Sequence, residues 1–231
     1  LQESISYYTN SLEIDSVNPS SDKDIFNKVK DLNKYEGLIW GGSSLNIYSD
    51  TKEIRRQIEF MKECQKRIKN ILAICWGMQV AVTAAGGVVN RGKNGAHRGI
   101  AHEIVINSDG LNHPIYKDKD KIFNTPAFNY DEVVTLPKDA ILLSSNKVNN
   151  VMALNFETEF SKIWGIQYHP EITYEKMITL IKFRRERLLE NKSFSDEKDL
   201  ESHISMIEKE DKITKKESRM RELKNWLDLI A

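Results

Sequence analysis

From Asn70 to Gly87 the chain reads NILAICWGMQVAVTAAGG, an apolar run of strand length that passes into a helical segment with no loop between them. Ile71 to Ile74 has the composition of a buried strand, and Trp76 to Ala85 reads as a helix that stops at Gly86 and Gly87. Glycine takes the left-handed conformation at a helix end without steric penalty, so the pair is a stop signal. The preceding segment shows the same alternation. Gly37 to Gly41 (GLIWG) reads as a short strand, and Asp50 to Lys69 as a helix with Ile54, Ile58, Met61, Cys64 and Ile68 three or four residues apart. Strand, helix, strand, helix implies parallel strands covered by helices, and hence an α/β fold.

Beyond Gly87 the pattern changes. Short β candidates follow one another: HEIVIN from His102, DEVVTL from Asp131, AILLSS from Ala140, NVMALNF from Asn150 and KIWGIQY from Lys162. Turn-forming stretches such as Ser108–Gly110 and Leu136–Asp139 separate them, so this half is expected to be mixed or antiparallel. From Tyr174 the chain is charged and helical, with a capping signal at Ser195–Glu197 and an apolar stripe of Met220, Leu223, Leu227 and Ile230. The interleaved acids and bases between Glu201 and Arg221 read as a solvated helix face. The opening LQESISYYTNSL also reads as a helix, whereas a parallel α/β sheet usually begins with a strand. The expectation is a native first strand upstream of Leu1, with residues 1–231 forming one domain and 174–231 a helical segment packed on it.

Composition narrows the function classes. With 231 residues, 40% of them hydrophobic, the chain can bury its own core. Its 34 basic and 34 acidic side chains cancel, so no general attraction to nucleic acid or to an anionic membrane is implied. No apolar run approaches the roughly 18 residues of a membrane span, and no basic-then-apolar leader opens the chain. Two cysteines do not make a disulfide framework, which suits a reducing compartment, and a soluble cytoplasmic protein is expected. The cysteines and histidines lack metal-ligand spacing, and there is no P-loop or dinucleotide fingerprint, so neither a metal nor another cofactor is expected.

Each cysteine therefore needs its own explanation. Cys64 lies on the apolar stripe of its helix and is assigned to packing. Cys75 sits at the strand-to-helix turn, with small residues, Ala73 and Gly77, two positions to either side. Such a turn projects a nucleophile from the sheet edge and needs small flanking residues so that strand and helix can approach. It also aims the first amides of the helix at the sulfur, which favours the thiolate and leaves the Trp76 amide free to receive an oxyanion. The alternative is a small buried hydrophobe in a core strand. A base is available in WGIQYHPEIT, where Pro170 ends an apolar strand directly after His169. In extended chain, residues i and i+2 point the same way, so Glu171 can reach the side that His169 faces and orient its imidazole. An isolated His-Pro-Glu would be an ordinary turn; its meaning depends on Cys75. His97, Arg98 and His102 lie in a glycine-bounded segment that either lines a pocket or forms a plain surface loop.

ILAICWGMQ followed by GIQYHPE, with His169 placed 94 residues after Cys75, resembles the class I (triad) glutamine amidotransferases. Their elbow reads roughly G-I-C-x-G-x-Q and their second motif G-x-Q-[FY]-H-P-E. EGLIWGGSSLNIYSD, Glu36 to Asp50, is similar to the strand and glycine loop in the branch that includes the glutaminase domain of GMP synthetase. The resemblance covers about Gly37 to Thr173. It implies a three-layer, flavodoxin-like fold with a mixed, mainly parallel sheet flanked by helices, and extra helices at the C-terminal end. It also implies roles: Cys75 as the nucleophile that forms a γ-glutamyl thioester, His169 as acid and base, Glu171 as its partner, and the Gly42 and Trp76 amides as oxyanion hole. Ser43 and Gln79 would hold the glutamyl group, together with Tyr168. Three departures stand out: Ala73 replaces a glycine, Trp76 replaces Leu, Phe or Tyr, and Asn129 stands where the branch commonly has histidine.

Three functions follow as alternatives. One is hydrolysis of glutamine or a γ-glutamyl amide, with ammonia passing to a separate synthetase. Another is a free-standing γ-glutamyl hydrolase or peptidase that acts on a larger small-molecule γ-glutamyl compound and needs no partner. The third is a binding module that kept the fold and lost the chemistry. Neither nucleic acid nor a membrane is an expected partner.

Overall fold

A computed structural model describes residues 1–230. Its strands are β1 Gly37–Trp40, β2 Asn70–Ile74, β3 Val88–Arg91, β4 His97–Arg98, β5 Ala101–Ile106, β6 Ile122–Thr125, β7 Phe128–Asn129, β8 Asp131–Thr135, β9 Ile141–Ser145, β10 Ala153–Glu157 and β11 Lys162–Ile166. The α-helices are α1 Gln2–Ser6, α2 Lys52–Gln65, α3 Trp76–Ala84, α4 Ser108–Leu111, α5 Tyr174–Phe183, α6 Arg185–Glu190, α7 Glu197–Ile213, α8 Lys216–Arg219 and α9 Arg221–Ile230. No helix among the described residues is long and apolar enough to cross a membrane.

Seven strands form the main sheet in the order β1-β2-β11-β10-β9-β5-β6. β1, β2 and β11 pair in parallel, and the remaining ladders are antiparallel. Five of the seven strands consequently point the same way, with β10 and β5 reversed. The mixed, helix-flanked α/β sheet expected from the sequence is the observed one. Parallel pairing is confined to β1, β2 and β11; α2 is the crossover helix that a parallel β1–β2 pair needs, and β11 joins β2 in parallel after the long excursion from Cys75 to Ser161.

Side-chain alternation along β2 explains why its run is continuously apolar. Ile71 and Ala73 pack with α2 and α3 on one face, and Leu72 and Ile74 pack with Leu223, Trp226 and Leu227 of α9 on the other. Helix ends follow local chemistry: the Thr51 hydroxyl accepts from the Ile54 amide, and the Asp196 carboxylate from the Asp199 amide at 2.8 Å. A third apolar cluster joins Tyr174, Ile178 and Ile181 of α5 to Leu200, Ile204 and Ile207 of α7.

Several elements differ from the sequence reading. In sequence, AAGGVVNRG shows only a helix stop. The helix does stop there, with Gly86 at φ +85° and the Gly87 amide donating to Val82 at 2.9 Å, but the next four residues become β3 against β8. Four residues ending in Asn-Arg are too few to show a strand period. β6 and a 3-10 run over Ile25–Lys34 are likewise absent from the sequence reading. The charged stretch up to Arg221 is largely exposed, but Arg219 is buried, and so is Glu222 one residue beyond it.

Candidate active site

Cys75 stands between β2 and α3 with φ 54° and ψ −106°, a conformation that L-residues rarely adopt. Three contacts hold it there. Its amide donates to the Ile166 carbonyl at 2.7 Å, which extends the β2–β11 ladder by one bond, and its carbonyl accepts from the Gln79 amide at 3.1 Å, which starts α3. The third is steric. A Cβ on Gly77 would lie 2.1 Å from the Trp40 carbonyl oxygen, so the end of β1 packs against the turn only because position 77 has no side chain. Trp76 follows with its indole nitrogen donating to Gln57 of α2 at 2.8 Å, so the bulk that replaces the smaller family residues goes into the core. Its backbone amide is at the first position of α3, where a helix offers no internal acceptor.

His169 lies just past β11, and its amide donates to the Pro126 carbonyl at 2.8 Å. Nδ1 is 2.8 Å from Glu171 Oε1, and both side chains are over nine-tenths buried. Burial opposes charge on the ring, but the Glu171 carboxylate and the Cys75 sulfur outweigh it and hold the His169 pKa well above the usual histidine value. Gly42 sits against the imidazole: a Cβ there would be 2.7 Å from His169 Cε1. Any side chain at position 42 would displace the ring.

Cys75, Trp76, His169, Glu171, Gly42, Ser43 and Gln79 all line one cavity of about 480 Å³. Tyr168 does not. It is fully buried behind the strand end, where its hydroxyl donates to Glu222 Oε1 at 2.7 Å and meets Tyr116 at 2.9 Å. The chain bends at Gln167 and Tyr168 beyond β11, which brings His169 to the cavity and leaves Tyr168 in the core, and the substrate-holding role expected for Tyr168 is corrected. Cys64 is buried on α2, where desolvation pushes its thiol up to about 12, as suits a packing residue. His97, Arg98 and His102 line a separate cavity of about 240 Å³ with His203.

Gln167 is the residue that sequence reasoning missed. Its Nε2 donates to Cys75 Sγ at 3.4 Å and its Oε1 accepts from Gln79 Nε2 at 3.3 Å, so it ties the thiol to α3. The signal was available, because Gln167 directly follows the apolar strand and is two residues before His169. Asn129 also lines the cavity, and its orientation is fixed from behind. Its Nδ2 donates to the Asp131 carbonyl at 3.0 Å, which leaves Oδ1 to accept from His97 Nδ1 at 2.9 Å. His97 Nε2 then accepts from Asn146 at 3.0 Å. The ring is satisfied only when neutral, and burial pushes its pKa down to about 4.

Behind the cavity, the segment carrying His169 and Glu171 is clamped by the C-terminal helices. Arg219 donates to the carbonyls of Pro170 and Ile172, the latter at 2.7 Å, and Ser4 donates to the Glu171 carbonyl at 2.9 Å. Glu222, which accepts from Tyr168, is paired with Lys119 at 3.1 Å, both side chains being almost wholly excluded from solvent.

The fold and this cavity define an α/β protein with a cysteine at a strained strand-to-helix turn, facing an imidazole–carboxylate pair that follows the neighbouring strand β11. Residues 2–185 match the family described as glutamine amidotransferase class-I, and the chain belongs to that family. It is 29% identical to a gamma-glutamyl-L-1-hydroxyisopropylamide hydrolase of Pseudomonas sp over 87% of this chain and 74% of the relative. It is 30% identical to gamma-glutamyl peptidase 4 of Arabidopsis thaliana over 68% of this chain, and spans 61% of that relative's length. One component of a glutamine-hydrolysing GMP synthase from Methanosarcina acetivorans is 32% identical over 46% of this chain and 52% of its own. In fold, the chain resembles the crystal structure of a glutamine amidotransferase from Thermotoga maritima, with a TM-score of 0.65, 20% identity, and coverage of 86% of this chain and 79% of that one.

Proposed function

We propose that the protein hydrolyses the γ-amide bond of a γ-glutamyl compound larger than glutamine, through a thioester on Cys75. The observation that carries this reading is the convergence of Cys75, His169 and Glu171 on one cavity, with the thiol on a backbone that only a demanding geometry would sustain. In the first step the Cys75 proton rests on His169, whose other nitrogen is held by Glu171, and the thiolate attacks the γ-carbonyl carbon. The oxyanion is received by the amides of Trp76 and Gly42. Collapse breaks the C–N bond, and His169 returns the proton to the leaving amine. Water then attacks the thioester with His169 as base and releases glutamate. Gln167 steadies the sulfur, while Ser43 and Gln79 hold the glutamyl group.

A cavity of about 480 Å³ is sized for more than one amino acid, and the relatives that cover two thirds or more of this chain include a γ-glutamyl amide hydrolase and a γ-glutamyl peptidase. Both favour a free-standing hydrolase. The second reading, a glutaminase that supplies ammonia to a separate synthetase, is favoured by the GMP synthase component, whose similarity covers under half of this chain.

Incubating the purified chain with a panel of γ-glutamyl amides and with glutamine, while following glutamate and amine release, tests the proposal. We expect amine release from the larger amides without any added protein, and a γ-glutamyl adduct on the wild-type chain that intact-mass analysis does not find on Cys75→Ala. Turnover of glutamine alone, and only with a synthetase present, would give the second reading instead.

A further inference from the structure

The lining of the cavity carries charge that the proposed reaction does not use. Arg184, at the end of α5, and Arg187, on α6, both line the cavity that holds Cys75, Ser43 and Gln79. Neither has a carboxylate within salt-bridge distance among the described residues. The Arg184 guanidinium lies over the Phe128 ring, 5.0 Å from its centroid, which fixes its plane while leaving its donors unspent. Partial burial and the neighbouring Arg187 charge both disfavour its cationic form, while Arg187 itself is exposed to solvent. The lining carboxylates are engaged elsewhere: Glu171 holds His169, and Asp131 accepts from Tyr48 at 3.0 Å. Arg91, a third guanidinium in the lining, faces that Asp131.

We infer that Arg184 and Arg187 form a subsite for a carboxylate carried by the leaving amine, so that the preferred substrates are γ-glutamyl amino acids or peptides rather than γ-glutamyl derivatives of uncharged amines. The inference rests on the proposed function. With the γ-carbonyl at Cys75 and the glutamyl group held by Ser43 and Gln79, the α5–α6 wall is left to the amine side. Two guanidiniums match a carboxylate in both charge and donor geometry. The apolar side chains of Met177, Leu180 and Leu188, which line the same cavity, suit the carbon skeleton that would link the two ends.

The test compares γ-glutamylglycine with γ-glutamylglycinamide, which differ only in that terminal charge. In the wild-type protein kcat/KM should favour the acid by roughly tenfold, the size of one charge-assisted hydrogen bond. In Arg184→Gln/Arg187→Gln that ratio should fall to near one, and in the wild type it should shrink with added salt. A ratio near one in the wild type overturns the inference. So does a ratio that survives the double substitution while both substrates weaken alike, which would assign the arginines to the glutamyl α-carboxylate. If neither compound is turned over, calorimetric binding of the same pair to Cys75→Ala separates the two failures. Tighter binding of the acid, lost with both arginines, would keep the subsite and reject only the hydrolase. Equal binding of acid and amide would reject the subsite.

Discussion

Tyr168 and His169 are neighbours in sequence, yet their side chains enter two buried polar clusters of opposite kind. Behind the strand end, Tyr168, Tyr116, Ser144, Glu222 and Lys119 form a closed network with an acceptor or donor matched at every named contact. In front, Cys75, His169 and Glu171 line a cavity, the cysteine has a strained backbone, and Glu171 Oε2 is buried with no hydrogen-bond partner among the described residues. The closed network can do nothing but specify position. The open one keeps strain and unused bonding capacity that a substrate or water can draw on, and a buried polar atom without a partner is sustainable only where the surrounding fold enforces it. The difference teaches that burial of charge alone does not mark a reactive site; incompleteness does.

The largest effect that would break this contrast is at Cys75. Cys75→Gly should lower turnover by roughly 10⁴-fold or more, as loss of a nucleophile does. The same substitution should stabilise the fold by about 1 kcal/mol, since glycine accepts φ 54° and ψ −106° without strain of order 1–3 kcal/mol, less its own entropic penalty. Cys75→Ala should be as inactive but no more stable than wild type. Paired denaturation curves read the difference, and equal stability of the two variants would remove the claim of strain.

The next effect belongs to the closed network. Lys119→Met leaves Glu222 buried without its cation and should destabilise by about 3–5 kcal/mol, the usual penalty for halving a buried ion pair. Lys119→Met/Glu222→Met should recover much of that loss, because no orphaned charge remains. A double-mutant cycle by chemical denaturation measures the coupling. If the single substitution is nearly neutral, the network is wetter than its burial implies, and the contrast with the cavity side weakens.

How far these clusters could be read from sequence follows from the range of the interactions that make them. β2, Cys75 and α3 are contiguous, and strand run, small flanking residues and glycine stop are all local signals. Glu171 is picked out beside His169 by the i, i+2 rule for extended chain, although the structure reaches that pairing through a turn closed by the Ile172 amide on the His169 carbonyl at 3.2 Å. The same rule, applied two residues the other way, would have pointed to Gln167, and applied one residue away would have turned Tyr168 inward. Those were failures of use rather than of information. Arg219, Glu222 and Lys119 are different. Their sequence surroundings are as charged as those of exposed residues on the same helices, and only the docking of α9 on the sheet decides which charge is buried. Arg184 and Arg187 were invisible for the same reason, since nothing local says which helix turn meets a cavity whose nucleophile lies about 100 residues away in sequence. β3 and β6 were too short to show a period.

Arg219 links the two clusters and sharpens the comparison by the smallest expected effect. It belongs to the C-terminal helices, as Glu222 does, but its guanidinium donates to carbonyls that flank Glu171 on the cavity side. It touches no group in the proposed chemistry and is a positioning residue. Arg219→Met should remove two charge-assisted hydrogen bonds from the 170–172 backbone, and the relaxed segment should let Glu171 orient His169 less well. The expected result is a roughly tenfold fall in kcat with KM changed little, since Arg219 touches neither Ser43 nor Gln79, the proposed glutamyl contacts. Glu171 also supports the raised His169 pKa, so the same variant should move the basic side of the pH–rate profile toward lower pH. Arg219→Lys, which keeps the charge but not the fork that reaches both carbonyls, should fall between. A variant with lower stability but an unmoved pH profile would show that Arg219 serves only the fold, and that the closed side of the strand end does not tune the open one.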